Sequence, residues 1–267
     1  MELPGWVPEG VEVTVPNAAR MYDYALGGYH NFAVDREFIE RAEELMPGAI
    51  SSAHANRAFV RRAVRWLVDN GLRQFLDIGS GIPTLGNVHE VAQRMAPESR
   101  VIYTDIDPVA VAHSGAILAD NPRARVVWGD LRRPAEILYH ADVLGFLDFS
   151  QPVAVLLNAV LPFVSDDDDP AGILAQVRDV LVAGSHLTIT HAVPLPQRAS
   201  EQESVRRLYQ STPTSVHLRT RERIRQLLAD WELVEPGLVP VTEWHPDSED
   251  ADDPPQPAIL AAIARVP

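Results

Sequence analysis

The chain has no cysteine and no lysine; all 23 of its basic residues are arginine. The missing cysteine excludes disulfide staples, cysteine-ligated zinc, iron–sulfur clusters and thiol nucleophiles. The missing lysine excludes a phosphate-loop lysine, a Schiff base and a kinase-type lysine. No apolar run is long enough to span a bilayer, no basic region followed by an apolar run opens the chain, and no internal repeat is visible. Positive charge is also scarce. Thirty-seven acidic residues against 23 basic give a formal charge of −14, which argues against nucleic acid or an anionic membrane as a partner of the surface as a whole. No His/Asp/Glu cluster has metal-ligand spacing. Asp166 to Asp169 lacks the spacing and closing Glu of a calcium loop, so no metal is expected. No Gly-X-Ser-X-Gly nucleophile elbow occurs.

What is present suffices for a packed core. Hydrophobic residues make up 46% of the 267 and charged residues 22%, a globular composition. A core of this size needs no staple, so a cytoplasmic setting is expected. The length favours one domain with additions. Residues 1–17 read as an extended arm. Three helices are expected at 18–26, 35–45 (capped by Asp35) and 51–70. Along the third, Phe59, Ala63, Trp66 and Leu67 share one stripe and Arg57, Arg61 and Arg65 another. From residue 71 short apolar strands alternate with helices. Strands are expected at 74–78, 101–104, 124–128, 153–157 and 186–190, with helices at 86–95, 108–119, 134–147 and 170–182. Non-alternating apolar strands separated by helices indicate a parallel sheet covered on both faces. Helices at 200–209 and 220–230 and strands at 231–234 and 259–266 complete the chain. The acidic, proline-rich stretch 247–257 reads as a surface loop.

The segment that carries chemistry is Phe75-Leu76-Asp77-Ile78-Gly79-Ser80-Gly81. A buried strand ends in an acid and a Gly-X-Gly turn, which lets backbone approach a ligand closely. A dinucleotide site asks for a third glycine, but Thr84 stands there. Asp77 precedes the turn, where a pyrophosphate would be repelled. A carboxylate there suits a ligand with a cationic amino-acid end, such as S-adenosylmethionine. The next strand ends in Asp105, followed by Ile106, and an acid at that tip is placed to accept both ribose hydroxyls. The third strand leads to Asp130-Leu131, a carboxylate for the adenine amino group with an apolar neighbour for the ring. Each acid alone can equally be a helix cap, and Asp107 has that choice explicitly. It is the succession of three strand-end acids behind a Gly-X-Gly turn that points to the cofactor.

These features resemble the Rossmann-like, class I S-adenosylmethionine-dependent methyltransferases. The chain is more closely similar to an actinobacterial family of S-adenosyl methyltransferases once catalogued as a domain of unknown function. The similarity rests on Ala19-Arg20-Met21-Tyr22-Asp23-Tyr24-Ala25-Leu26-Gly27-Gly28 with Asn31-Phe32, on Ala55-Asn56-Arg57-Ala58-Phe59, on residues 74–84 and 86–90, and on stretches near 101–108, 152–164 and 233–246. The resemblance implies an α/β fold with a seven-stranded, mostly parallel sheet, helices on both faces and an N-terminal helical addition (1–70) on a cofactor-binding core (71–267). It implies S-adenosylmethionine as cofactor and leaves the methyl acceptor open. The family pattern carries a His after the leucine that follows the fourth strand. Here Leu161-Pro162-Phe163 has proline, so no role of that His is carried over.

The expected cofactor residues are therefore Asp77, Gly79, Ser80, Gly81, Asp105, Ile106, Asp130, Leu131 and Asn158. From the aromatic, glycine-rich segment 22–32, Tyr22 is expected near the sulfonium, and Arg20 or Asn31 near the cofactor carboxylate; the alternative is a helix that only packs on the sheet. Asn56 and Arg57 are read into the same wall. For a general base, His191 after the fifth strand and His30 in the helical addition are the candidates, with His54 a rival; a lone His is also often structural. The expected acceptor is a small molecule. Two other readings stand beside this one. One is a non-catalytic cofactor-binding regulator. The other is a nicotinamide-dependent oxidoreductase, against which Asp77 and the missing third glycine count.

Overall fold

The computed structural model describes residues 7, 11–83, 86–247 and 258–267. Thr84 and the loop at 248–257 lie outside these residues. Strands β1 (Gln74–Ile78), β2 (Arg100–Asp105), β3 (Ala124–Trp128), β4 (Ala154–Asn158) and β5 (His186–Ala192) run parallel in the order 3-2-1-4-5. Two short strands, β6 (Glu232–Leu233) and β7 (Val239–Pro240), and the long β8 (Ile259–Arg265) complete the sheet. β8 runs antiparallel between β5 and the β6/β7 edge. β6 and β7 pair with successive parts of β8, so together they fill one strand position. The eight segments thus make the seven expected positions. The 239–240 piece is too short, and too close to Pro236 and Pro240, to carry a periodic signal of its own.

Strand alternation divides the core into two layers. Leu76, Ile78, Ile102, Val155, Leu157 and Ile189 face one side and pack with Ile173, Leu174, Val177 and Ile224. The last four come from helices α8 (Pro170–Asp179) and α10 (Arg221–Leu227). Phe75, Val101, Tyr103, Ala154 and Leu156 face the other side, against α3 (Ala49–Asp69) and α4 (Val88–Met95). Phe59, Val64 and Leu67 of α3 are the principal partners. Trp244 and Trp231 are both core residues, and Trp244 meets Phe59 edge-on at 5.6 Å. Because Asp77 follows Phe75 by two residues, its side chain points to the α3 side of β1.

The expected 134–147 helix is two short helices, α6 (Pro134–Leu138) and α7 (Ala141–Leu144). His140 adopts extended backbone between them, and its Nδ1 accepts the Asp142 N–H at 3.2 Å, starting a new helix. The remaining helices are α1 (Ala18–Ala25), α2 (Ala33–Leu45), α5 (Pro108–Ile117) and α9 (Ala199–Tyr209). Asp35 is the third residue of α2 rather than its N-cap, and it caps the helix start from inside, as in a capping box. Its buried carboxylate accepts the Phe32 and Asn17 N–H groups at 2.9 Å each and lies 3.4 Å from Arg20 Nε. α1, α2 and Ala53 of α3 enclose a small satellite core around Met21, Leu26, Phe38 and Ile39.

The motif between α1 and α2 is a built corner. Gly27 has φ +78°, which favours glycine. The Asp23 carboxylate folds under Gly28 and accepts from His30 N and Asn31 Nδ2 at 2.8 and 2.9 Å. A Cβ on Gly28 would lie 1.9 Å from Asp23 Oδ1. Gly28→Ala should therefore break the Asp23 bonds and lower stability by about 1–3 kcal/mol. Thermal denaturation checks this, and an unchanged melting temperature would refute the packing.

Candidate functional site

The order 3-2-1-4-5 makes chain connections diverge between β1 and β4, and in open α/β sheets a crevice forms at that point, outside the carboxyl ends of the strands. Here it deepens into a cavity of about 590 Å³. Its floor is the strand ends; α1 and the start of α3 form one wall. α2, α9, the 3₁₀ turn Leu161–Phe163 and residues 213–218 form the roof.

The Gly-X-Gly turn is clamped to β2. Gly79 and Ser80 N–H donate to the Thr104 carbonyl at 2.8 and 3.0 Å. Gly81 N–H donates to Asp105 Oδ2 at 2.7 Å, and Asp107 N–H to Asp105 Oδ1 at 2.8 Å. Gly79 and Gly81 have φ +72° and +66°. A Cβ on Gly79 would meet Val160 at 2.5 Å, whereas one on Gly81 would meet nothing within 4 Å. Each Asp105 oxygen keeps a lone pair beyond its backbone bond. Burial raises the Asp105 carboxyl to about 6, against the pull of its backbone donors.

Asp77 is the notable group of the floor. It is buried and lines the cavity, yet among the described residues nothing hydrogen-bonds its carboxylate. Burial raises it to about 7; the Arg57 charge opposes this and Asp105 adds to it. Arg57, also buried and lining the cavity, stacks on the Tyr22 ring at 5.5 Å, and its Nε has no hydrogen-bond partner among the described residues. Sequence reasoning placed Arg57 in the wall but gave it no role; a stripe of three arginines looks like a solvated face until the helix is docked. Arg65, by contrast, pairs with Asp247 at the surface. Tyr22, Asn56 and Thr190 form a relay across the wall: Asn56 Nδ2 donates to the Tyr22 hydroxyl at 2.8 Å, and Thr190 donates to Asn56 Oδ1 at 2.7 Å. Ala159 N–H donates to Thr190 Oγ1 at 2.8 Å.

The cavity brings together Asp77, Gly79, Ser80, Gly81, Asp105, Ile106, Asp130, Leu131, Asn158, Tyr22 and His191. It does not include Arg20, Asn31 or His30. Arg20 is a buried tie: it donates to the Glu12 and Val15 carbonyls at 3.1 and 2.7 Å and lies between Asp35 and Asp107. Asn31 donates to Asp23 and Gly28 and accepts from Arg36, all within the α1–α2 corner. His30 stacks on His113 at 3.5 Å, outside the cavity. The glycine-rich segment is thus a corner that presents one residue, Tyr22. His54 is exposed. Asp130 also differs from expectation, since its carboxylate accepts from Arg132 N, Nε and Nη2 at 2.7–3.0 Å. Burial raises the Asp130 carboxyl, but these bonds outweigh it and leave it below the usual carboxylate range.

His191 borders the cavity but is committed elsewhere. Its Nδ1 donates to the Ala192 carbonyl at 2.7 Å, and its Nε2 accepts from Arg219 at 3.1 Å. Burial lowers it to about 4, with Arg219 adding to the effect. A general base needs a free lone pair, and this geometry gives that lone pair to Arg219. The roof was not foreseen. Ile39, Met46, Val205, Tyr209 and Phe163 lie far apart in sequence and carry no motif.

The profile of the S-adenosyl methyltransferase family matches residues 4–267. A crystal structure from Streptomyces avermitilis MA-4680, of the family catalogued as DUF574, is 38% identical over 96% of this chain and 99% of its own, with a TM-score of 0.90. A candidate methyltransferase from Thermobifida fusca YX is also 38% identical, over 98% of this chain and 99% of its own, with a TM-score of 0.89. No curated protein matches. The fold and the crevice define a Rossmann-like class I methyltransferase. The chain belongs to the S-adenosyl methyltransferase family, its cofactor is S-adenosylmethionine, and it acts on a methyl acceptor. The nicotinamide reading falls with that assignment. Among the described residues no helix is long and apolar enough to cross a membrane.

His191 should remain a neutral, Nδ1-protonated imidazole down to about pH 5, as read by ¹⁵N NMR. A His191 titration above pH 6 would contradict the Arg219 bond. The sign follows: a His with a lowered folded pKa contributes stability above its unfolded value of about 6.5, lost as pH falls toward 4.

Proposed function

We propose that the floor holds S-adenosylmethionine, with Asp77 on the ammonium and Arg57 on the carboxylate of its amino-acid end. The observation that carries this is a pair of opposite charges buried in one cavity, the carboxylate without a hydrogen bond and the guanidinium Nε without a partner among the described residues. Unpaired buried charges are costly, and a zwitterionic end offsets both costs at once. The open side of Gly81 and the lack of a Cβ at Gly79 let backbone approach that end, with Ser80 and Asn158 beside it. Asp105 holds the ribose hydroxyls with its remaining lone pairs. Ile106 and Leu131 flank the adenine, and Asp130 shares its carboxylate between the adenine amino group and Arg132.

When bound, the cofactor supplies a methyl group already activated on a sulfonium. The chain's own contribution is to align the acceptor and exclude water, for which no strong base is needed. The occupied lone pair of His191 fits that division of labour. We further propose that residues 1–70 form an addition to the 71–267 core, contributing Tyr22, Asn56 and Arg57 as one wall. The acceptor is a small molecule, because the roof elements cover the cavity from above.

Two measurements test the floor. Arg57→Gln should raise the Kd for S-adenosylhomocysteine about 10- to 100-fold by calorimetry, the loss expected for a charged hydrogen bond. Unchanged affinity in a folded variant removes the assignment. The second is pH dependence. Asp77 must be ionised to hold an ammonium, so affinity should fall as pH drops through about 7 and again, with Asp105, through about 6. Asp77→Asn should abolish the step near 7. The ligand-free variant should be at least as stable as the parent at pH 8, because a carboxyl raised by burial weakens the fold once it ionises. A parent whose affinity is flat between pH 6 and 8 would count against Asp77.

A further inference from the structure

The roof differs in chemistry from the floor. Ile39 and Met46 from α2 and its end, Val205 and Tyr209 from α9, Phe163 from the 3₁₀ turn and Leu218 close it with apolar surface. Among the described residues, the charged and amide groups that reach this side already have side-chain or backbone partners. The Arg206 Nε and Nη2 bond Glu203 at 2.7 and 2.8 Å. Gln202 accepts from Leu195 N–H at 2.7 Å and donates to the Val193 carbonyl at 2.9 Å. A charged acceptor placed here would be stripped of water without a partner, which is strongly unfavourable. Tyr209 is different. Its ring meets Phe38 edge-on at 4.8 Å and lies 6.1 Å from Phe163. Among the described residues nothing bonds its hydroxyl, although the residue lines the cavity. Burial holds that hydroxyl protonated, at about 12, so it is a neutral donor and acceptor. Tyr209 is half-buried, and a phenol that faces a cavity has its polar tip free for a ligand.

We infer that the roof lobe takes an uncharged, ring-bearing acceptor whose polar group is hydrogen-bonded by the Tyr209 hydroxyl. The ring is matched by the Phe163 and Tyr209 faces, where aromatic pairs add to plain burial. Neutrality follows because Arg206, the charge on this side among the described residues, is already paired with Glu203, and the polar group follows from the hydroxyl that none of them bonds. This specificity rests on the reading of the floor as the cofactor site. Amino acids, nucleotides and phosphorylated compounds are excluded as acceptors by the same desolvation argument.

The test uses the full chain, titrated first with S-adenosylhomocysteine and then, once saturated, with four bicyclic probes at neutral pH. 2-Naphthol should bind more tightly than naphthalene, and the charged 2-naphthoate and 2-naphthylmethylamine should not bind. Tyr209→Phe should raise the 2-naphthol Kd about 5- to 10-fold and leave that of naphthalene unchanged, a change in discrimination that a merely structural role would not produce. Val205→Trp should block both neutral rings while S-adenosylhomocysteine binds as before. A charged probe binding as well as 2-naphthol, no binding of either neutral ring, unchanged discrimination in Tyr209→Phe, or full naphthol binding to Val205→Trp would overturn the proposal alone. Failure of S-adenosylhomocysteine to bind would instead overturn the reading of the floor, and the proposal with it.

Discussion

The Asp105 carboxylate is the constraint on which the site depends. One side chain at the tip of β2 accepts the Gly81 N–H from the β1 turn and the Asp107 N–H from the start of α5. Two parallel strands are thereby locked at their open ends, where the sheet's own ladder has run out. Carboxylate bonds to backbone N–H groups are among the stronger hydrogen bonds. They hold a turn whose left-handed glycines would otherwise sample many conformations. The same bonds direct the remaining lone pairs of Asp105 at the cavity. Stability of the turn and recognition at the strand ends are one arrangement.

The N-terminal helices attach to this clamp through charge. Arg20 lies between Asp35 of α2 and Asp107 of the β2–α5 junction and stacks on Phe32. Buried ion pairs seldom add much stability, because desolvation offsets attraction. Their value here is geometric: a docked α1 places Tyr22 against Arg57 and threads the Asn56–Thr190 relay into the β4–β5 ends. The residues of the glycine-rich motif that look most like ligand contacts, Arg20 and Asn31, are spent on building that corner.

The cavity that results has two chemistries facing each other. The floor holds two carboxylates that burial pushes toward neutrality, Asp77 and Asp105, with Arg57 beside them and Arg132 already paired with Asp130. The roof is mostly apolar; its Arg206 and Gln202 are bonded to neighbours, and Tyr209 brings a hydroxyl. Such a division suits a reaction in which the activated group arrives on a charged carrier and the acceptor needs only to be held and dried. It also accounts for the lack of a recognisable base, since the only histidine bordering the cavity among the described residues is bonded at both ring nitrogens.

Much of this was legible in the chain. The parallel sheet follows from short apolar strands buried on both faces, and the Gly-X-Gly turn and strand-end acids follow from the geometry of a βα junction, which is local in sequence. The 134–147 stretch is mostly helix as read, but its break at His140 was missed because a histidine cap is a weak breaker, and the 239–240 strand because two residues have no period. The roles of Arg20, Asn31, Asp130 and His191 were not legible, since each turned on a partner: Asp35 and Asp107, Asp23, Arg132, Arg219. Arg57 and Tyr209 were hidden for the opposite reason, because what distinguishes them is a polar atom left without a partner among the described residues. The sequence by itself determined the sheet, the turn and the positions of the acids. The tertiary structure decided which polar groups are satisfied and which face the cavity unpaired, because hydrogen-bond saturation depends on neighbours brought together from distant parts of the chain.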